Sequence, residues 1–209
     1  MGFFDFLKRK DFEDNPDNLA KMETLDNESK KEKIIRILDN FTHDDLNLGQ
    51  IQLEAETVFT YLNYLSNAIN SYVGDNDYSK VEARLRGVQE HSKKLSHLLD
   101  NMIILYYNRM VDALSDVNDI EFSREVDNIH LSLGREKRDI NELIELMARF
   151  ESATKMNISS MINNGEIAGL IESLAGKLNK VLLGKESIRM KIRREDPIEV
   201  VRSLIVGGK

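Results

Sequence analysis

Three groups of residues define the chemistry open to this chain. The first is Met1-Gly2-Phe3-Phe4-Asp5-Phe6-Leu7-Lys8-Arg9-Lys10, where Phe3, Phe4, Phe6 and Leu7 share one side of a short helix and Lys8, Arg9 and Lys10 follow at once. Aromatic rings of this kind enter the headgroup boundary of a bilayer, while the cations meet anionic lipid and suit the C-terminal end of a helix dipole. The second is the cationic run Lys177, Lys180, Lys185, Arg189, Lys191, Arg193 and Arg194, interrupted only by Glu186. Such a run is drawn to the phosphates of lipid or nucleic acid regardless of sequence, or to an acidic surface of its own chain. No aromatic residue follows Phe150, so no stacking platform for single strands accompanies it. The third is Asp127-x-x-His130, a relative of the Glu-x-x-His spacing of di-iron bundles, near the level of His43, Asp44 and Asp45. A di-iron site needs that motif on two helices and further Glu at seam positions, and the second motif is missing. No metal and no cofactor is therefore expected.

The N-terminal composition resembles the amphipathic membrane-targeting segments of several bacterial peripheral proteins, among them cell-division regulators and signal-recognition receptors. Burying four such side chains contributes about 1.5–3 kcal/mol each, but a segment this short is barely helical in water and has to be ordered as it binds. One copy therefore binds weakly, and self-association turns several weak anchors into firm attachment. The competing reading is that the three Phe dock on the protein's own helices or on a partner. Myristoylation is not expected, because Phe6 stands where Ser or Thr is required after Gly2.

Catalytic signatures are missing. Gly184-Lys185-Glu186-Ser187 and Gly176-Lys177-Leu178 lack the upstream Gly and the following Ser or Thr of a phosphate loop, and there is no Gly-x-Ser-x-Gly or His-Glu-x-x-His. The 209 residues contain no Cys, which removes disulfides, thiolate nucleophiles and sulfur-ligated zinc, and points to a reducing cytoplasm. No apolar run approaches the length of a membrane span, and Asp5 and Asp11 stand where a signal peptide needs an apolar core. A non-enzyme is expected, with no small-molecule substrate, either cytoplasmic or peripheral on the inner membrane face.

The elements that must position these groups are helices. Pro16 and Pro197 are the only prolines, so no obligatory breaker lies between them, and no strand or hairpin signal competes. Apolar residues repeat at steps of three and four in three long series. Leu48, Ile51, Ala55, Val58, Leu62, Leu65, Ile69 and Tyr72 form the first; Val81, Leu85, Val88, Ser92, Leu95, Leu99, Met102 and Tyr106 the second; Phe122, Val126, Ile129, Leu133, Glu136, Ile140, Leu143, Met147 and Phe150 the third. Helices are expected near 48–73, 79–115 and 120–154, with a shorter one over 28–41 built on Ile34, Ile35, Leu38 and Phe41. Turn chemistry at 74–77 and 116–119 sets neighbours antiparallel. The fold class is all-α: an elongated antiparallel, up-and-down bundle of three or four helices with coiled-coil-like seams (residues 28–154). A polar linker over 11–27 precedes it. A small, basic C-terminal helical subdomain (155–209) follows, with Ile167, Leu170, Ile171, Leu174, Leu178 and Val181 on one side of its first helix.

Charge divides the chain in a way that the total of −7 conceals: residues 42–154 hold 11 Lys and Arg against 20 Asp and Glu, whereas residues 155–209 hold 10 against 6. An acidic body with a basic tail fits a structural or adaptor protein that associates with itself or another protein and attaches to an anionic membrane through residues 2–10. The alternative is a virion-assembly or nucleic-acid-associated scaffold that uses the tail. A second alternative is a membrane-remodelling filament protein, similar to phage-shock and ESCRT-III proteins in combining an N-terminal amphipathic segment with long helical hairpins; this chain departs from them in its acidic first helix and basic tail. The seam exception Glu136 needs a partner, since a lone buried carboxylate costs several kcal/mol. Folding about residues 117–118 brings it level with Lys94, Ser96 and His97, and a contact with Lys94 or His97 is expected.

Overall fold

The computed structural model describes residues 47–75, 78–115 and 123–185, together with residues 32, 35, 36, 187, 188, 191, 202, 203, 206 and 207. Every regular element among them is helical: α1 (Leu48–Asp75), α2 (Tyr78–Met102), a π-helical turn (Ile103–Asn108), α3 (Arg109–Ser115), α4 (Ser123–Asn163), α5 (Glu166–Leu178) and a second π-helical turn (Asn179–Leu183). None of the described helices is long and apolar enough to cross a membrane. Of the helix expected over 28–41, only Glu32, Ile35 and Arg36 are described; they are helical, and Ile35 packs against the core.

α1 starts where Asn47 adopts φ 47°, a left-handed conformation asparagine tolerates, and its carbonyl accepts the N–H groups of Gln50 and Ile51, both at 2.9 Å. From there the three-and-four spacing does what the sequence implies. Ile51, Ala55, Val58, Leu62, Leu65 and Ile69 of α1 are buried, and so is each member of the second series from Val81 to Tyr106. Ser92 is buried within that seam, and its hydroxyl has no hydrogen-bond partner among the described residues. The contacts give the register: as numbers rise along α1 they fall along α2, with Tyr61 stacked on His91 (5.3 Å between centroids), Tyr64 under Arg84 (5.2 Å) and Tyr72 edge-on to Tyr78 (6.1 Å). Gly87 makes room for this, because a Cβ there would lie 2.3 Å from the Tyr61 ring.

α2 meets α4 with the same falling pattern. Gln89 donates to Thr154 Oγ1 at 3.0 Å, Ser96 to Met147 Sδ at 3.9 Å and Tyr107 to Glu136 Oε2 at 3.2 Å. Val126, Leu133, Ile140, Leu143, Met147 and Phe150 of α4 are buried. α4 is longer than its apolar series suggests: it passes a break at Asn157 (φ −144°, ψ 29°) and continues to Asn163. Gly165, at φ 76°, then reverses the chain into α5. α5 and the second π turn pack on both α4 and α1, and Ile167, Ile171, Leu174, Leu178, Val181 and Leu182 belong to the same cluster as the buried residues of α1, α2 and α4.

The π turn at 103–108 departs from the unbroken second helix of the sequence reading. Up to Tyr106 the buried residues follow one phase, whereas Tyr107, Met110 and Leu114 follow another, one residue later. A regular helix cannot turn both sets inward; a π turn inserts one residue and brings them into line. Tyr106 and Tyr107, adjacent in sequence, are thus both fully buried, edge-to-face at 5.0 Å.

Candidate functional site

Two polar constellations and one apolar recess stand out once the helices are assembled. The first lies where the chain after α5 meets α4. The Tyr107 hydroxyl is carried inward by the π turn and donates to Glu136, whose side chain is only 13% exposed. Lys191 Nζ reaches the other carboxylate oxygen at 3.5 Å, and Ser132 Oγ stands 3.4 Å from it. At the next residue of each arm, Lys137 donates to Asn108 Oδ1 at 2.7 Å. Burial, the Glu136 charge and its hydrogen bond all push the Tyr107 phenol well above its ordinary value of 10.0, so it stays a neutral donor. Further along α4, Lys177 of α5 bridges Asp139 (2.9 Å) and Glu142 (2.6 Å). Burial lowers the Lys177 ammonium, but its hydrogen bonds to the two carboxylates outweigh this and its pKa is raised. The hydrogen bond from Lys177 holds the Asp139 carboxyl below its ordinary value.

Glu136 therefore differs from expectation. Its partners are Tyr107, Lys191 and Ser132, while Lys94 pairs with Glu90 on its own helix at 2.9 Å and His97 is exposed. The partners along this pair of arms meet midway at residues 121–122, some four residues beyond the centre assumed from the turn chemistry. Compared with protein-family models, characterised proteins and solved structures, the chain matches none.

The second constellation lines the outer groove between α1 and α2. His91 Nδ1 pairs with Glu54 Oε2 at 2.7 Å, with both side chains mostly shielded, and Tyr61 stacks on the imidazole. Tyr64 stands edge-on to Tyr61 and carries Arg84 over its face. This groove is a polar and aromatic surface between the two helices. The recess, lined by Leu48, Ile51, Gln52, Met102, Leu182 and Ile188, has room for about one water molecule. It closes the junction of α1, α2 and the second π turn.

Of the cations singled out in sequence, Lys177 and Lys191 face acids of α4, whereas Lys180 and Lys185 are exposed. Arg189, Arg193 and Arg194 lie outside the described residues, as do Phe3, Phe4, Phe6, Leu7, Lys8, Arg9 and Lys10. Asp127 and His130 are exposed, and among the described residues no three His, Asp or Glu gather to hold a metal. Sequence reasoning missed the Glu54–His91–Tyr61 set. Its signal was there in part: a glycine in mid-helix at 87 marks a close approach, and the seam register puts Tyr61 opposite it.

Proposed function

We propose that this chain is a non-enzymatic structural or adaptor protein, an elongated up-and-down antiparallel bundle with coiled-coil-like seams that associates with itself and attaches peripherally to anionic membrane through residues 2–10. The falling partner numbers between α1 and α2, and between α2 and α4, support the antiparallel arrangement, and the three-and-four burial pattern supports the seams. The observation that carries the functional reading is the contrast along α1. Its inward seam is fully occupied by the chain's own core, yet Leu53 (61% exposed) and Tyr64 (49%) stand on the outside. Apolar side chains kept in water on a helix whose inward seam is already filled support an association surface there.

A second reading, a scaffold that binds a polyanion through its tail, draws on the exposure of Lys180 and Lys185. The pairing of Lys177 and Lys191 with α4 weighs toward a tail that answers the acidic body of its own chain.

Two measurements test the proposal. Sedimentation velocity across the micromolar range is expected to show a concentration-dependent increase in mass; a monomer throughout refutes self-association. Co-sedimentation with vesicles containing anionic lipid is expected for the full chain and lost on deleting residues 1–10 or in Phe3→Asp plus Phe4→Asp. Pelleting unchanged by both refutes the anchor. A fall of several degrees in melting temperature in the double variant also refutes it, because the segment would then belong to the packed core. A mobility shift with nucleic acid that Lys180→Glu plus Lys185→Glu abolishes would favour the second reading.

A further inference from the structure

The outer surface of α1 has a composition found nowhere else along the helices. From Thr57 to Gly74 the sequence contains no Asp, Glu, Lys or Arg, although 31% of the whole chain is charged. Opposite the buried seam runs a second three-and-four series, Gly49, Leu53, Glu56, Thr60, Asn63, Asn67 and Asn70, all exposed, with Glu56 its one charged member. The other acid of this region, Glu54, turns into the α1–α2 groove against His91.

An exposed uncharged strip is ordinarily a neutral piece of surface. Three features give this one a partner. The hydroxyls on and beside it are satisfied within the helix: Thr57 donates to the Leu53 carbonyl at 2.7 Å, Thr60 to Glu56 at 2.8 Å and Ser71 to Asn67 at 3.0 Å. Losing their water leaves those three donors paired, while the amides of Asn63, Asn67 and Asn70 have to find partners across the contact. Second, interface centres are depleted of charge, as this strip is, and the exposed aromatic ring of Tyr64 borders it. Third, two copies of a chain of net charge −7 repel one another over most of their surface, and least where a neutral face meets a neutral face.

The single charge sets the register. Arg84 lies over the Tyr64 ring and is exposed, so its guanidinium stands level with residue 64 of α1. In an isologous contact of two antiparallel α1 helices with the axis at Thr60, Glu56 of one copy arrives at Tyr64 and Arg84 of the other, twice by symmetry. The same axis sets Leu53 opposite Asn67, and Leu48 opposite Tyr72. It therefore overlaps α1 over almost its whole span, Leu48–Asp75. The register that pairs the charges also overlaps the helix over nearly its full length, and nothing in the buried seam requires the two to coincide.

We propose that the outer face of α1 is a two-fold contact between copies of this chain, centred on Thr60 and keyed by Glu56 of each copy against Arg84 of the other. This rests on the self-association proposed above and identifies where it occurs.

The test uses the full chain. Glu56→Arg and Arg84→Glu each set like charges opposite one another at two symmetric positions and are expected to weaken the dimer about tenfold or more, whereas the double variant restores the pair and returns affinity to within about threefold of the unsubstituted chain. Both positions are exposed, and circular dichroism melts check that each variant stays folded. Since the chain has no cysteine, Thr60→Cys supplies a single thiol on the axis. Under mild oxidation it is expected to give a disulfide-linked dimer, which Glu172→Cys on exposed α5 does not. A dimer insensitive to both single reversals overturns the α1 contact and leaves self-association standing. A double variant no tighter than the singles overturns the register. No cross-link at Thr60→Cys beyond that at Glu172→Cys overturns the axis, as it would if another protein or residues 1–31 occupied the face. A chain monomeric at every concentration fails the parent reading itself.

Discussion

Replacing Tyr107 by Phe removes one oxygen atom from the interior and makes stability depend differently on pH. The phenol is fully buried and donates to Glu136 at 3.2 Å. At neutral pH, losing a hydrogen bond to a charged acceptor costs about 1.5 kcal/mol, the lower end of the range, because Glu136 keeps some exposure and Lys191 beside it. At high pH the sign changes. The folded phenol titrates well above 10.0, the ordinary value that the unfolded chain regains. A group whose folded pKa is raised contributes its full stability below the unfolded pKa and loses it as pH rises. The unsubstituted protein should thus lose about 1.4 kcal/mol of stability for each pH unit above 10 through this one residue, until the folded phenol itself ionises. Tyr107→Phe lacks that loss. Urea unfolding of both proteins at pH 8, 10 and 11 should show the unsubstituted chain ahead by about 1.5 kcal/mol at pH 8 and the two level near pH 11. Other tyrosines and the lysines affect both proteins alike and cancel in the difference. If the stabilities run parallel from pH 8 to 11, the phenol is not held neutral against Glu136, and the register of α2 on α4 falls with it.

Lys177→Met is expected to cost about 1 kcal/mol at pH 7, a figure kept small because Asp139 and Glu142 are 38% and 54% exposed. Asp139 is held below its ordinary 3.8, so its contribution is present above that pH and lost as pH falls through the lower folded value; the gap between variant and parent in urea unfolding should narrow as pH drops below 3.8, and a gap that stays constant would show that Lys177 acts through packing alone. Gly87→Ala and Gly134→Ala should shift the urea midpoint in opposite directions. At Gly134 nothing lies within 4 Å of a new Cβ, and helix propensity alone stabilises by about 0.5–1 kcal/mol. At Gly87 the new methyl meets the Tyr61 ring at 2.3 Å, and overpacking of about 1–3 kcal/mol outweighs that gain; midpoints moving together would mean that Tyr61 does not occupy the notch.

The helices and their inward faces were legible in the sequence because burial on a helix is periodic and periodicity is local. Each member of the second series is buried, and in the third every described member is buried except Ile129, which is partly covered, and Glu136, whose exception marked a real polar contact. Charge asymmetry also anticipated that cations of the tail face acids of the body, as Lys177 and Lys191 do. The partner of Glu136 was not legible. A register error of a few residues in one connection carries through the whole length of a helix, and turn chemistry does not state how far each arm continues before it reverses. The π turn was hidden for a related reason: only packing against the other helices decides that two stripes out of phase by one residue are joined by an inserted residue. α5 sharing a core with α1 was equally a tertiary result, since an amphipathic helix records that it has a face to cover and never which neighbour covers it.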